Sequence, residues 1–417
     1  MIKRIEIDRR LLLTLIFAIP LMAIFSQCLT ATSKPDPRGE LYAGSTTCVT
    51  CHKNVYSNYL HTAHFLSTRP AAAATMYGDF SSNNNTFYFD NDLKVVMEKH
   101  QNGLYQTAYK KNKVVESQPF DITFGGTKAE TYLYWKGNKM FELPISYFKN
   151  LHSWTNSPGL DVNHPDYSRE IGRRCFECHA SYIKELPMQT QGLLATPEFD
   201  KNSLIFGIDC ERCHGPGTNH VNFHTTYPEA KKPMYIKTFA SLTRAQKIDV
   251  CATCHSGNTE HMQKSIFAFQ PGDKLADYKE GSYLHQNIDS AKLDVHGNQT
   301  QLLESSKCFA MTNMNCTTCH DVHKNDRQNL AMYSQKCLTC HTGQGHTVCK
   351  LTASVGPIIK NNCIDCHMPA QPSNAIQVQI SHGGSAIPYL VRTHHIAVYK
   401  KASTTVLDDL KKYNLLQ

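Results

Sequence analysis

Hydrophobic and polar residues are arranged differently in successive parts of this chain. Residues 11–25, LLLTLIFAIPLMAIF, form an apolar run behind a basic start, MIKRIEIDRR. That length suits the core of an export signal and is short for a membrane span, the more so with Pro20 inside it. Between residues 86 and 148 the pattern changes to short β-branched and aromatic runs: TFYF, LKVVMEK, LYQTAYK, KVVESQPFDITF, ETYLYWK and KMFELPISYF. Turn signals separate them at Asp90-Asn91-Asp92, Asn102-Gly103, Lys111-Asn112, Gly125-Gly126 and Gly137-Asn138. This alternation predicts a β-meander of five or six strands. The last segment, residues 401–417, predicts one short amphipathic helix.

Cysteine spacing changes the picture. The pattern C-x-x-C-H occurs seven times: Cys48/Cys51/His52, Cys175/Cys178/His179, Cys210/Cys213/His214, Cys251/Cys254/His255, Cys316/Cys319/His320, Cys337/Cys340/His341 and Cys363/Cys366/His367. Random placement of this much Cys and His would give roughly 0.04 copies. Seven copies use 14 of the 17 cysteines. Structural zinc also uses C-x-x-C pairs, but nothing in a zinc ribbon requires His after each second Cys. Covalent haem does: two thiols add to the porphyrin vinyl groups and the adjacent imidazole reaches the iron. The expected cofactors are therefore seven covalently bound c-type haems. Six motifs lie between 175 and 367, too dense for each to own a protein core. Haems packed against one another are expected there, on short helices joined by long irregular connections.

The fold expectation is a mainly α multihaem architecture with much irregular structure and an inserted β-meander. The corresponding segments are a signal peptide (1–27), a tether (28–40), a first haem segment (41–80), the β-rich insert (81–150), a six-haem domain (151–400) and a tail (401–417). The insert reads as a structural element burying the first haem, or as a docking surface for a redox partner. Covalent haem attachment fits export from the cytoplasm. Cys28, after Phe25-Ser26-Gln27, is the lipidation candidate; Ser26 fits a lipoprotein signal and Gln27 departs from it. Cleavage without acylation and an uncleaved anchor are the alternatives. The formal charge of +8 does not point to nucleic acid, because no basic run carries interleaved aromatics. About 14 haem propionate charges would more than offset it.

Sixth ligands decide the chemistry, since a filled position carries electrons and an open one binds a small molecule. With 22 histidines, seven of them proximal, 15 remain. His323 lies one helical turn from His320, on the same side of the backbone, while its own porphyrin is pinned to that segment. It therefore points to a neighbouring haem, not to its own. The same reasoning applies to His220 and to His61 and His64, and less firmly to His346. His152, His164, His394 and His395 complete the candidate distal ligands. His224, His261, His285, His296 and His382 are reserves, and His100 reads as an exposed strand residue. Methionines, Met368 included, read as packing. Cys308 and Cys349 are left over, either as a disulfide or as unpaired buried thiols.

YAGSTTCVTCHKNVYSNYLHTAH, GIDCERCHGPGTNHV, CATCHSG, MNCTTCHDVHK and NCIDCHMP together resemble the multihaem cytochromes of the cytochrome c-554 type. The resemblance covers the first motif and residues 170–370, and it implies an electron carrier. The family's best-known member has four haems against seven motifs here, so its particular partner does not carry over. Related haem packings occur in pentahaem nitrite reductase and octahaem hydroxylamine oxidoreductase. The C-x-x-C-K that marks the catalytic haem of nitrite reductase has no counterpart here. The reading is an electron-transfer protein of the cell envelope with mostly bis-histidine haems, lipid-anchored to a membrane. Its expected partners are a quinol-side donor or a terminal reductase. The alternative is a reductase or oxidase of a small nitrogen or sulfur oxyanion at one open haem.

Overall fold

The computed structural model describes residues 35–187, 196–257, 261–280, 289–341 and 348–413. The apolar run 11–25, Cys28, His285 and His346 lie outside these residues. A short edge strand, β1 (Thr68–Pro70), leads into the β-rich region. There β2 (Thr86–Tyr88), β3 (Leu93–His100), β4 (Gly103–Lys110) and β5 (Lys113–Pro119) form an antiparallel sheet in sequence order. At the β4–β5 turn, Lys111 and Asn112 have φ of 51° and 60°, the left-handed pair that a two-residue hairpin needs. A second sheet contains β1, β6 (Ile122–Gly125), β7 (Ala129–Lys136), β8 (Lys139–Glu142), β9 (Ile145–Phe148) and β10 (Ser153–Asn156).

The two sheets pack face to face. Phe87, Phe89, Val95 and Met97 from the first meet Tyr132, Leu143, Ile145 and Trp154 from the second in one buried core. Strand β7 is buried on both faces. Tyr132 and Tyr134 point into this sandwich, whereas Leu133 faces the other way with Ile122, Phe124 and Met140. That period-2 division is what a doubly covered strand requires. The back face packs on Phe176, Ile183 and Phe199, so the β-region forms the floor beneath the motif at 175–179.

The expectation of a mainly α fold is corrected: 30% of residues are helical and 24% are in strands. Two further hairpins lie inside the region read as helical, β11 (Ala180–Glu185) with β12 (Phe199–Phe206) and β13 (Ala370–Val378) with β14 (Ile387–Arg392). Helices at the motifs are brief, as in Arg173–His179, Cys210–His214 and Ile364–His367. The motif supplies one helical turn and no apolar stripe to extend it, so intervening residues are free to pair as strands. Arg244–His255 is longer, 12 residues, because Thr243 and Gln246 form a capping box and Val250 and Ala252 enter a third core with Ile266 and Leu275.

Candidate haem centres

One helical turn explains the motif. The His52 amide donates to Cys48 O (2.9 Å), and His320, His341 and His367 donate in the same way to Cys316, Cys337 and Cys363 (3.0 Å each). An i→i−4 bond brings both cysteines and the histidine to one side of the backbone. Two thioethers and an axial nitrogen can then engage a single porphyrin.

Motifs distant in sequence meet in space. Thiols touch in the pairs Cys48–Cys210, Cys178–Cys254, Cys251–Cys316 and Cys337–Cys363. Residues inside the motifs weld these pairs together. Glu211 accepts from the amides of Ala43, Gly44 and Gly217 at 2.8–3.0 Å and from Arg38 at 2.9 Å. Arg38 also binds Asp36 and Asp209, which fixes the first motif segment to the third. Arg212 donates to Ile266 O (2.7 Å) and Glu177 O (3.1 Å). Glu177 in turn accepts from Ser265 (2.6 Å) and pairs with Arg173 and Arg174.

Cys51 and Cys340 depart from this arrangement. Their thiols are exposed, unlike those of the other attachment cysteines, and the adjoining His52 and His341 are exposed as well. Helices Ser45–Cys48 and Leu330–Leu338 both end before the second cysteine of their motif. The first thiol of each motif packs inward, Cys48 on Cys210 and Cys337 on Cys363, while the following turn carries Cys51 and Cys340 to the surface.

Four histidine pairs join a motif to a residue from elsewhere in the chain. Ring centres are 6.4 Å apart for His52 and His220, 6.4 Å for His255 and His64, 6.1 Å for His214 and His323, and 6.2 Å for His320 and His394. An iron about 2.0 Å from each axial nitrogen, with about 1.15 Å from nitrogen to ring centre, sets two imidazoles roughly 6.3 Å apart. These pairs fit a haem iron held between them. Nδ1 donates to a backbone carbonyl in His214 (Lys237 O, 3.0 Å), His220 (Met234 O, 2.8 Å) and His367 (Ala397 O, 3.0 Å). That tautomer leaves the Nε2 lone pair for a metal. Burial and neighbouring histidines push His64 and His394 down to about 4, so both stay neutral and able to ligate.

The path of His64 is set by close backbone approach. Gly207, at φ 68°, lies where a Cβ would stand 2.6 Å from Phe65 O, and the Ile208 amide donates to His64 O at 2.8 Å. His179 is held from the β-region: Phe124 stacks on its ring at 4.7 Å and 5°, and Ser67 and Thr68 donate to its carbonyl.

The other candidates lie elsewhere. His61 is exposed. His152 is exposed at the β9–β10 turn with φ 48°, and His164 is exposed and bridged to Asp161 at 3.0 Å. His395 is hydrogen-bonded to the Tyr399 hydroxyl at 3.1 Å. Among the described residues none of these four stacks on a proximal histidine. Two residues outside the main candidates come close. His224 lies 4.6 Å from His220, and His296 is within electrostatic reach of His179 and His255. Neither has a motif spacing that sequence could exploit. Cys308 and Cys349 are free, the first half-buried and the second exposed. Among the described residues no group of three or more Cys, His, Asp or Glu is arranged to hold a metal directly.

Comparison with known proteins agrees with this geometry. Residues 144–215 match the family described as cytochrome c554 and c-prime, a span containing the second and third motifs and the β11–β12 hairpin. The multiheme cytochrome MtrA of Shewanella baltica (strain OS185) is 26% identical over 211 residues, 48% of this chain and 54% of its own. The protein is a multihaem c-type cytochrome. It spans about half the length of that curated relative. The crystal structure of the outer cell wall cytochrome OcwA shares the fold of this cytochrome, with a TM-score of 0.53 and 16% identity over 88% of this chain and 82% of the other.

Proposed function

We propose that this cytochrome relays electrons through seven haems, one at each C-x-x-C-H, in the bacterial cell envelope. The observation that carries the proposal is the set of crossed histidine pairs. In this reading His220 serves the haem of Cys48/Cys51, His64 that of Cys251/Cys254, His323 that of Cys210/Cys213 and His394 that of Cys316/Cys319. Each distal ligand comes from a segment outside the motif it serves, so neighbouring haems share protein and lie within contact. The exposed Cys51 and Cys340 suit the haems of their motifs to exchange electrons with an outside partner. Bound haem supplies a one-electron iron couple. The protein would supply both axial nitrogens, and at His214, His220 and His367 a backbone carbonyl fixes the imidazole tautomer through Nδ1. Resemblance to proteins named for multihaem and outer-cell-wall cytochromes supports exported redox proteins as partners. Among the described residues no helix is long and apolar enough to cross a membrane, and Cys28 acylation is the proposed anchor.

A second reading rests on His179. Among the described residues no histidine ring stacks across from it, and Phe124 covers the face of its imidazole instead. An open haem at Cys175/Cys178 would bind a small nitrogen or sulfur oxyanion. Electron paramagnetic resonance of the oxidised protein, with haem counting by intact mass, separates the two. Seven haems and low-spin signals alone support the relay. A high-spin component of about one haem, abolished by nitrite, supports the second reading and localises to His179 if His179→Ala removes it.

A further inference from the structure

A group of cations on three elements lies around Tyr389, and one of them, Arg327, reaches toward His64 and His320. Lys128, on the β6–β7 turn, carries its ammonium 5.2 Å above the ring of Tyr389 on β14. Arg327, in the loop after the fifth motif, lies within electrostatic reach of Lys128, Tyr389, His64 and His320. Arg392 also reaches Lys128 but is engaged by Asp365. Among the described residues neither Lys128 nor Arg327 forms an ion pair. The Tyr389 hydroxyl is buried and has no hydrogen-bond partner. Partial burial and the like charges of Arg327 and Arg392 hold the Lys128 ammonium below the usual lysine range. Asp326 is the carboxylate near this group, felt at His320 and Tyr333, and it makes no ion pair among the described residues.

Two cations without an ion-pair partner among the described residues, close to a buried unpaired hydroxyl, call for a carboxylate or similar oxyanion. We propose that Lys128, Arg327 and Tyr389 form a clamp for a propionate of the haem held between His255 and His64. This rests on the ligation proposed above. Each member contributes differently: Lys128 and Arg327 neutralise the propionate, and the Tyr389 hydroxyl donates to it. A cation beside a haem disfavours the extra positive charge of ferric iron, so the clamp raises that haem's potential.

The experiment is a spectroelectrochemical titration of the intact, fully haem-loaded protein, comparing wild type with K128Q, R327Q and Y389F. Haem content by mass verifies loading, and R327K replaces R327Q if the latter loads incompletely. We expect K128Q and R327Q each to lower the midpoint of one haem, the oxidised-to-reduced ratio at fixed potential rising about tenfold, which is 59 mV for a one-electron couple. Y389F should shift the same haem by a smaller factor, about threefold, and R327K should restore most of the R327Q loss. Unchanged midpoints in all three variants would overturn the clamp. If His64→Ala still makes one haem high-spin in that case, the ligation stands and only the clamp fails. Titration with nitrite and sulfite distinguishes the two sources of an oxyanion. A wild-type spectral response lost in K128Q, with midpoints unmoved, would assign the site to an exogenous oxyanion and overturn the propionate assignment.

Discussion

The β-sandwich and the motif-bearing segments solve the same problem with different materials. In the sandwich, Phe87, Phe89, Val95, Met97, Tyr132 and Leu143 are at most 1% exposed, and two sheets close over them. Around the motifs the helices are one to three turns long, and the attachment cysteines other than Cys366 are half-buried or, at Cys51 and Cys340, exposed. The first region is held by its own apolar residues, whereas under the proposed haem loading the second would draw much of its core from porphyrin. The regions meet at Phe124 and Phe176, 5.4 Å apart edge to face, where the back of the sandwich becomes the wall of the His179 site.

The largest test of this contrast is to remove the haems. In protein produced without haem attachment, amide hydrogen exchange should stay slow in β3, β4 and β7. The helices Arg173–His179, Cys210–His214 and Arg244–His255 should exchange on the order of 100-fold faster or more. Equal protection in both regions would remove the distinction. Next, His323→Ala should turn one haem high-spin, the one attached at Cys210/Cys213, while that at Cys316/Cys319 stays low-spin. The reverse assignment, read by resonance Raman with Cys210/Cys213 variants, would break the crossed-pair proposal. Trp154→Ala acts on the other side of the comparison. Trp154 is 4% exposed and lies against Phe80, Phe120, Tyr132 and Tyr147. Its loss should cost about 3–5 kcal/mol in thermal or denaturant unfolding of the sandwich, with haem spectra unaltered.

The smallest effect concerns pH at the junction. Glu142, at the end of β8, is pushed up to about 7 by burial, against the favourable Arg169 at 3.1 Å. A carboxyl raised in the folded state is more stable protonated, so its contribution is fully present below its unfolded value and is lost as pH rises to about 7. Stability should fall by about 2–3 kcal/mol between pH 4.5 and 7 and then level off. In Glu142→Gln that slope should flatten, as followed by chemical denaturation at a series of pH values.

Much of this molecule is legible along the chain, for stated reasons. C-x-x-C-H is a one-turn device, so its chemistry is local and needs no fold to be read. Lys111-Asn112 and Gly137-Asn138 mark hairpins because their backbones must be left-handed, at φ 51° and 60° for the first pair and 61° for Gly137. The hairpins β11–β12 and β13–β14 were not legible. The first lies between motifs and the second follows the last one, where helix was expected, and register shifts interrupt both ladders, blurring the alternation that announces a strand. Nor does the motif say how deeply each cysteine lies: Cys51 and Cys340 read like the rest in sequence and are exposed in the fold. His64, His220, His323 and His394 stand out only as unused histidines, and His61, His152 and His164 look equally eligible in sequence. Folding separates them, since the latter three stay at the surface.

Sequence by itself determined the cofactor chemistry, because thioether attachment and the first axial ligand reside within five consecutive residues. It also determined that His323 and His320 share one side of a short segment. Only the tertiary structure decided which ring each spare histidine faces: His214 for His323, His52 for His220, His255 for His64 and His320 for His394. Those partners are far apart along the chain, and such contacts follow from packing, ion pairs such as Arg38 with Glu211 and a close approach such as that at Gly207. No local pattern encodes a distance across the fold.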